Sequence, residues 1–331
     1  MANEFRALLL EKSEDGVSAS IKQLKDEQLP DGDVTVSISY STLNYKDGMI
    51  LKGVGGLVRN YPHIPGIDFV GRVERSEASE YSVGDKVILT GWRVGEARWG
   101  GFSEKAQVQS DWLVSLPKKL TEKRAMAIGT AGLTAMLAVL EFQSNGLRPE
   151  NGPILVTGAN GGVGSIAVSL LAGYGFEVHA STGRLDLSDD LKSIGASEII
   201  AREELNAVPE RPLLSEHWSG VVDTVGGDTL AAVLPQIKSR GVVAACGNAG
   251  GIKFSATVIP FLLRGIKLIG IDSAMCPIGQ RKKAWERLSE DLSAAVLDGL
   301  TKTISLEDLP ESAGKILKGK IKGRMIVDVN A

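Results

Sequence analysis

Along the first third of the chain, hydrophobic and polar positions alternate in short bursts. Residues 34–39 read apolar then polar, 69–74 repeat the pattern after Pro65-Gly66, and Val83-Gly84-Asp85-Lys86-Val87-Ile88 carries a turn into an apolar run. A period of two over four to eight residues, punctuated by glycine and proline, marks half-buried strands. No long helical pattern interrupts them, so this part is expected to be β-rich, a partly closed barrel. Near Leu120 the spacing changes: Thr121, Ala125, Met126, Ile128, Leu133, Met136, Leu137 and Leu140 fall at helical intervals, broken by glycine.

From Pro153 onward strands and helices alternate: a strand over 154–157, a glycine turn, a helix over 163–174, a strand over 177–181, a helix over 187–194 and a strand over 198–201. Strands over 220–223, 241–246 and 267–272 follow, with a helix near 229–237. Such alternation predicts α/β architecture: six parallel strands in one doubly wound Rossmann sheet. A charged amphipathic helix is expected over 280–297, and 323–329 alternates like a strand that returns to the first domain. The expected division is a β-rich domain of residues 1–127 completed by 272–331, and a nucleotide-binding domain of 128–271.

At 154–164 a buried strand delivers Gly158-Ala159-Asn160-Gly161-Gly162-Val163-Gly164 straight into an apolar helix. This is the dinucleotide fingerprint with alanine in its first glycine slot, Ala159-x-Gly161-x-x-Gly164. Gly161 lets the backbone approach a pyrophosphate, Gly164 lets helix pack on strand, and the helix start favours the anion. An NAD site carries an acidic residue at the tip of the second strand, but here that tip reads Ser181-Thr182-Gly183-Arg184. Hydroxyl and guanidinium there suit a 2′-phosphate, so the expected cofactor is NADPH. Arg202, past the third strand, is a second phosphate ligand or a solvated charge. Asp186 is the residue that argues for NADH instead. Val225, Gly247 and Asn248 follow strand ends on the same edge and are expected near the nicotinamide half, whereas Cys246 reads as a buried strand residue.

Composition narrows the function. The 37 Lys plus Arg against 40 Asp plus Glu, formal charge −3, give no basic footprint for nucleic acid or anionic membrane. The apolar stretch 125–140 is interrupted by Gly129, Thr130, Gly132 and Thr134 and falls short of the roughly 20 residues of a spanning helix. Ala7 to Leu10 is too brief for a secretion signal, so a cytoplasmic location is expected. With Cys246 and Cys276 the only cysteines and three histidines, a disulfide framework or a structural zinc site is hard to build, and no metal is expected.

The β-rich first domain, Gly129-Thr130-Ala131-Gly132-Leu133-Thr134-Ala135, the fingerprint and the terminal Gly323-Arg324 strand together resemble the medium-chain dehydrogenase/reductase superfamily over essentially the whole chain. Within it, Ser41-Thr42-Leu43-Asn44-Tyr45-Lys46-Asp47, Ile64-Pro65-Gly66-Ile67-Asp68-Phe69 and Thr90-Gly91-Trp92-Arg93-Val94-Gly95 resemble the zinc-independent quinone oxidoreductase branch and its acrylyl-CoA reductase group. Where zinc enzymes of the superfamily have Cys-x-x-Asp and Gly-His-Glu, this chain has Asn44-x-x-Asp47 and Gly66-Ile67-Asp68, so two metal ligands are missing.

The resemblance implies a GroES-like first domain and NADPH-dependent reduction of the carbon–carbon double bond of acrylyl-CoA to propionyl-CoA. Tyr45 is implied as proton donor, enolate stabiliser or pocket lining, with Asn44 and Asp47 fixing the pocket loop and Asp68 left behind at the lost zinc site. Thr130 and Thr134, Ile271 and Arg324 are implied near the cofactor. A CoA ester also needs cations, for which Lys46, Lys52, Arg59, Arg93 and Arg98 are candidates with Trp92 and Trp99 nearby. Reduction of quinones or other enones, and nucleotide binding without turnover, remain open alternatives. Relatives pair through the strand near 266–271, implying a homodimer.

Overall fold

The computed structural model describes residues 4–14 and 16–331; Met1 to Asn3 and Asp15 lie outside the described residues. The chain divides into two compact units: residues 1–130, 273–290 and 297–331, and residues 131–272 with 291–296.

The first unit begins with a hairpin, β1 (Glu4–Ser13) and β2 (Gly16–Lys25). Its inner strand is apolar on both faces because both are covered: Phe5, Ala7 and Leu9 join one hydrophobic cluster, Leu8 and Leu10 another. Then come β3 (Val34–Leu43), α1 (Tyr45–Leu51), β4 (Asp68–Ser76), β5 (Lys86–Thr90), β6 (Lys105–Val108) and β7 (Val114–Ser115). β3 to β5 run antiparallel, and the alternation of β3 puts Val34, Val36 and Ile38 into the core beside Phe69, Val87 and Leu89. Where a pocket loop was expected after Asn44, the structure has the short helix α1. Asn44 is its N-cap and Asp47 stands in its first turn, a pairing that short-range periodicity does not reveal.

Helix α2 (Glu122–Ser144) is longer than the apolar stretch suggests, at 23 residues, and 83% of its most apolar window is buried. Burial, not length, therefore argues against a membrane span. The expected break falls at Gly129, at φ 51° and ψ −158°.

In the second unit β8 (Ile154–Val156), α3 (Gly162–Gly173), β9 (Val178–Thr182), α4 (Ser188–Ser193), β10 (Glu198–Ala201), β11 (Trp218–Asp223), α5 (Gly227–Val233), β12 (Ile237–Ala245), α6 (Ile259–Arg264) and β13 (Lys267–Gly270) alternate as expected. The six strands are parallel in the order β10-β9-β8-β11-β12-β13. The order reverses between β8 and β11, so the carboxyl ends of these two strands are where such a sheet binds ligands. Ile154, Leu155, Val156, Val221 and Val222 are fully buried, the continuous apolar text that a sheet covered on both faces requires.

The chain then returns to the first unit's sheet. The single helix expected over 280–297 is two, α7 (Ile278–Asp291) and α8 (Ala294–Leu300), because Leu292 and Ser293 leave the helical path. β14 (Thr301–Ile304), α9 (Leu309–Leu317) and β15 (Arg324–Asp328) complete the unit. β15 pairs antiparallel with β3, Met325 facing Leu43, which brings the chain's end beside Asn44.

Candidate functional site

Each unit carries its own cluster of the expected residues. In the first, β3 ends at Leu43 and α1 starts at Tyr45, leaving Asn44 between them with 8% exposure. Asp47 reaches back: its Oδ2 accepts the Asn44 N–H at 2.9 Å and its Oδ1 accepts the Ile67 N–H at 3.0 Å. Asp68, fully buried, accepts from Asn44 Nδ2 at 2.8 Å, from the Thr130 N–H at 2.8 Å and from the Thr130 hydroxyl.

Arg324 closes the cluster from β15. Its Nε donates to the Ala127 carbonyl at 2.8 Å, Nη2 to Thr42 Oγ1 at 3.1 Å, and Nη1 and Nη2 to Asn44 Oδ1 at 3.3 Å. Asn44 thus bridges guanidinium and carboxylate, each end of its amide meeting the complementary charge. A Cβ on Gly129 would lie 2.7 Å from Asp68 Oδ2 and 2.9 Å from Arg324 Nη2. The break in α2 is therefore the price of aiming the Thr130 N–H at Asp68.

Two buried carboxylates lie within electrostatic reach of one buried guanidinium, with the Asn44 amide between. Burial, with Asp68 as a neighbouring charge, pushes Asp47 up to about 7, against backbone N–H bonds that favour its anion. Burial also raises Asp68, opposed by its hydrogen bonds and Arg324, and pulls the Arg324 guanidinium down. For Asp47 the unfolded chain releases the proton near the ordinary 3.8 and the folded chain near 7. Across that interval the native state binds the extra proton, so stability is full at the acidic end and falls as pH rises toward about 7. Urea midpoints measured across the interval are expected to show this slope, and Asp47→Asn to flatten it whatever it does to absolute stability. An equal slope in the variant would refute the assignment.

Tyr45, the first residue of α1, stands apart from this buried set with 40% of its surface exposed.

In the second unit, Gly158 takes φ 61°, and a Cβ on Gly164 would lie 2.5 Å from the Gly158 carbonyl oxygen. Any side chain at 164 would drive α3 off its turn. Gly161 is the N-cap of α3 without a side-chain cap, leaving the first N–H groups of that helix for a ligand. The tip of β9 is laced to the turn: the Thr182 hydroxyl meets Asn160 Oδ1, Thr182 Oγ1 accepts the Arg184 N–H at 2.9 Å, and Arg184 Nη2 donates to the Asn160 carbonyl at 3.2 Å. Burial lowers the Arg184 pKa, opposed by Asp186. Arg202 lies against Gly183, where a Cβ would be 2.7 Å from its Cζ. Ser181 is buried and Ala159 N–H donates to its carbonyl at 3.0 Å. The turn, Gly183 and two guanidiniums thus meet around one strand tip.

Asp223 holds the next turn, accepting from Thr157 Oγ1 at 2.7 Å and from the Gly226 N–H at 2.9 Å. A Cβ on Gly247 would lie 2.0 Å from the Thr224 carbonyl oxygen, and Gly250 N–H donates to Val225 O at 2.8 Å. Val225, Gly247 and Asn248 are therefore neighbours. Burial, helped by Asp223, pushes the Cys246 thiol up to about 12, which disfavours the thiolate that a nucleophile needs; the residue stands half-buried just past β12 rather than within the strand. Ile271 donates its N–H to Ala245 O at 2.9 Å just past β13, and Thr134 is buried within α2.

Sequence reasoning missed Thr42 and the Ala127 carbonyl as partners of Arg324. The one signal for the kink was the Gly-Thr pair interrupting the helical spacing.

Residues 30–118 match the alcohol dehydrogenase GroES-like domain and residues 162–290 the zinc-binding dehydrogenase family. The acrylyl-CoA reductase AcuI of Ruegeria pomeroyi is 55% identical over 99% of this chain and 100% of its own length. The crystal structure of Escherichia coli YhdH with bound NADPH superposes with a TM-score of 0.95 at 48% identity, covering 98% of this chain and all of that one. Bacillus subtilis YhfP, whose name assigns it provisionally to the quinone oxidoreductases, is 47% identical over 99% of each chain. Its crystal structure with NAD bound gives a TM-score of 0.95 at 46% identity, over 99% of this chain and 100% of that one.

Proposed function

The chain belongs to the acrylyl-CoA reductase and quinone oxidoreductase family of the medium-chain dehydrogenase/reductases, and from that premise we propose that it reduces the double bond of acrylyl-CoA to propionyl-CoA with NADPH. The observation that carries the cofactor choice is the tip of β9, where Thr182, Arg184 and Arg202 stand beside the glycine turn and no carboxylate occupies the tip itself. The fit is good. Gly161, Gly162, Val163 and Gly164 would hold the pyrophosphate, Arg184 and Arg202 the 2′-phosphate, and Val225, Gly247 and Asn248 would border the nicotinamide end.

Bound there, the cofactor supplies a hydride from its nicotinamide C4 for the β-carbon of the thioester. The chain's own task is then at the α-carbon and the thioester oxygen. Tyr45, exposed at the start of α1, is assigned the role of donor to the enolate, while Asn44, Asp47, Asp68, Thr130 and Arg324 hold the start of its helix in place.

Zinc does not fit this chain. Among the described residues no three His, Cys, Asp or Glu side chains converge. Asp68 faces an amide N–H, a backbone N–H, a hydroxyl and the Arg324 charge, so a second cation would be repelled. Arg324 supplies a positive charge there that is fixed by the chain, its donors meeting the Ala127 carbonyl, Thr42 and Asn44.

The test is NADPH oxidation by pure protein in the presence of acrylyl-CoA, against a quinone at matched concentration. A higher kcat/KM for the quinone would replace this reading by the quinone oxidoreductase one, which the kinship with YhfP favours.

A homodimer belongs to the same proposal. Among the described residues β13 has a strand neighbour on one side alone, and nearby α6 exposes Leu262 and Leu263 at 72% and 68%, an edge that pairing would cover. Light scattering giving a one-chain mass would remove it. A cytoplasmic setting is likewise inferred, since it keeps Cys246 and Cys276, neither of them in a disulfide, as thiols.

A further inference from the structure

The first unit also holds a pocket that the reaction scheme above does not use. Trp92, Arg93, Ala97, Arg98, Trp112 and Met275 line a cavity of about 540 Å³. It is built from the end of β5. Gly91 turns the chain at φ 83°, where a Cβ would lie 2.3 Å from the Ala274 carbonyl oxygen. Trp92 and Arg93 then both take left-handed backbone, φ 55° and 60°. Consecutive non-glycine residues in that region persist where the surroundings over-determine them.

Here the surroundings are Arg281. Completely buried, it donates to Thr90 O and Oγ1 at 2.6 and 2.7 Å and to the carbonyls of Ser273, Ala274 and Cys276 at 3.1 to 3.3 Å. Its guanidinium lies 5.0 Å from the Trp92 ring centroid. Trp92 and the segment bearing Met275 are thus pinned by one cation. Across from them the Arg98 guanidinium sits 4.6 Å over the Trp112 ring.

Arg93 and Arg98 are exposed, and among the described residues neither guanidinium forms an ion pair with a carboxylate. Lys46, by contrast, is spent on Glu96 at 2.8 Å, and Trp99 Nε1 donates to Pro62 O at 3.3 Å. The cations and indoles that the sequence left unranked are thereby sorted.

The indoles offer stacking for a flat heterocycle, and two guanidiniums without carboxylate partners offer forked donors for phosphate oxygens. Asp68 pairs with Thr90 across β4 and β5, so Trp92 starts about 5 Å across and about 7 Å along from the buried cluster, a span that an extended pantetheine arm covers. Glu96, inside the same loop, is held by Lys46, the neighbour of Tyr45.

We propose that the Trp92–Arg93–Arg98–Trp112 pocket binds the 3′-phosphoadenosine diphosphate end of the CoA thioester. This rests on the reaction proposed above. The same adenosine phosphate chemistry is present in NADPH, and the two nucleotides differ in the position of the extra phosphate. Calorimetric titrations with 3′,5′-ADP and 2′,5′-ADP separate them, alongside steady-state kinetics with acrylyl-CoA and with the acrylyl thioester of N-acetylcysteamine, which lacks the nucleotide.

Arg98→Glu and Arg93→Glu are each expected to weaken 3′,5′-ADP and to raise KM for acrylyl-CoA by about 10-fold or more. The kcat, the KM for the short thioester and the affinity for 2′,5′-ADP should stay unchanged, and Arg98→Lys should recover part of the loss. No 3′,5′-ADP binding by the wild type, unchanged binding and KM in both variants, or an equal loss with the short thioester would each overturn the assignment. Should the wild type bind 3′,5′-ADP through Arg98 yet leave acrylyl-CoA unreduced, the pocket stands and the reaction falls.

Discussion

Arg324→Leu is expected to destabilise the protein by about 3 to 5 kcal/mol, because removing one partner of a buried ionic cluster strands the other without compensation. The guanidinium is 3% exposed and Asp68 fully buried. Leucine would leave the Asn44 amide oxygen and the Ala127 carbonyl without the donors they now share, and each orphaned acceptor adds its own desolvation cost. Equilibrium urea unfolding followed by tryptophan fluorescence reads the loss. Arg324→Lys should fall between wild type and leucine, since one ammonium cannot span Ala127, Thr42 and Asn44 with a planar fork. The double variant Asp68→Leu with Arg324→Leu should recover part of the loss, because no charge is then stranded. A loss under about 1 kcal/mol for Arg324→Leu would mean that the cluster is solvated and that its geometry has been misread.

The second large effect concerns cofactor choice. Arg184→Ala is expected to raise KM for NADPH by about 10- to 100-fold, and the pair Arg184→Ala with Arg202→Ala by about 100- to 1000-fold, with NADH changing little. Arg184 is partly buried and tied to the Asn160 carbonyl on the glycine turn, while Arg202 lies on the Gly183 backbone, so both cations border one strand tip. The comparison with YhfP, solved with NAD, makes this a sharp test, and Asp186 beside Arg184 is the group that could favour the unphosphorylated ribose. Parallel losses for NADPH and NADH would place the two arginines outside the 2′-phosphate site.

Much of the second unit was legible because its information is local. A glycine turn between an apolar strand and an apolar helix has one economical conformation, and Gly158, Gly161 and Gly164 stand where that conformation requires them. The alternation that follows points to six parallel strands, since the inner strands β8 and β11 are buried on both faces while helices alternate with the strands along the chain. The helix expected over 280–297 erred for a related reason: the amphipathic spacing of Trp285, Leu288, Leu292 and Val296 runs on through the break, and only the structure shows that the backbone leaves the helical path at Leu292 and Ser293.

The first unit's site was not legible in the same way. Asn44, Asp68, Gly129 and Arg324 are separated by up to 280 residues, and no periodicity links them. The sequence by itself determined the sheet of the second unit, its nucleotide turn and the arginine at the strand tip, because hydrophobic spacing and backbone permissiveness act between near neighbours. Only the tertiary structure decided that Arg324 meets Asn44, Thr42 and the Ala127 carbonyl, and which two of five cations line the tryptophan pocket. A buried charge is satisfied by whatever the fold carries to it, and that carrying is done by strand pairings that join distant parts of the chain.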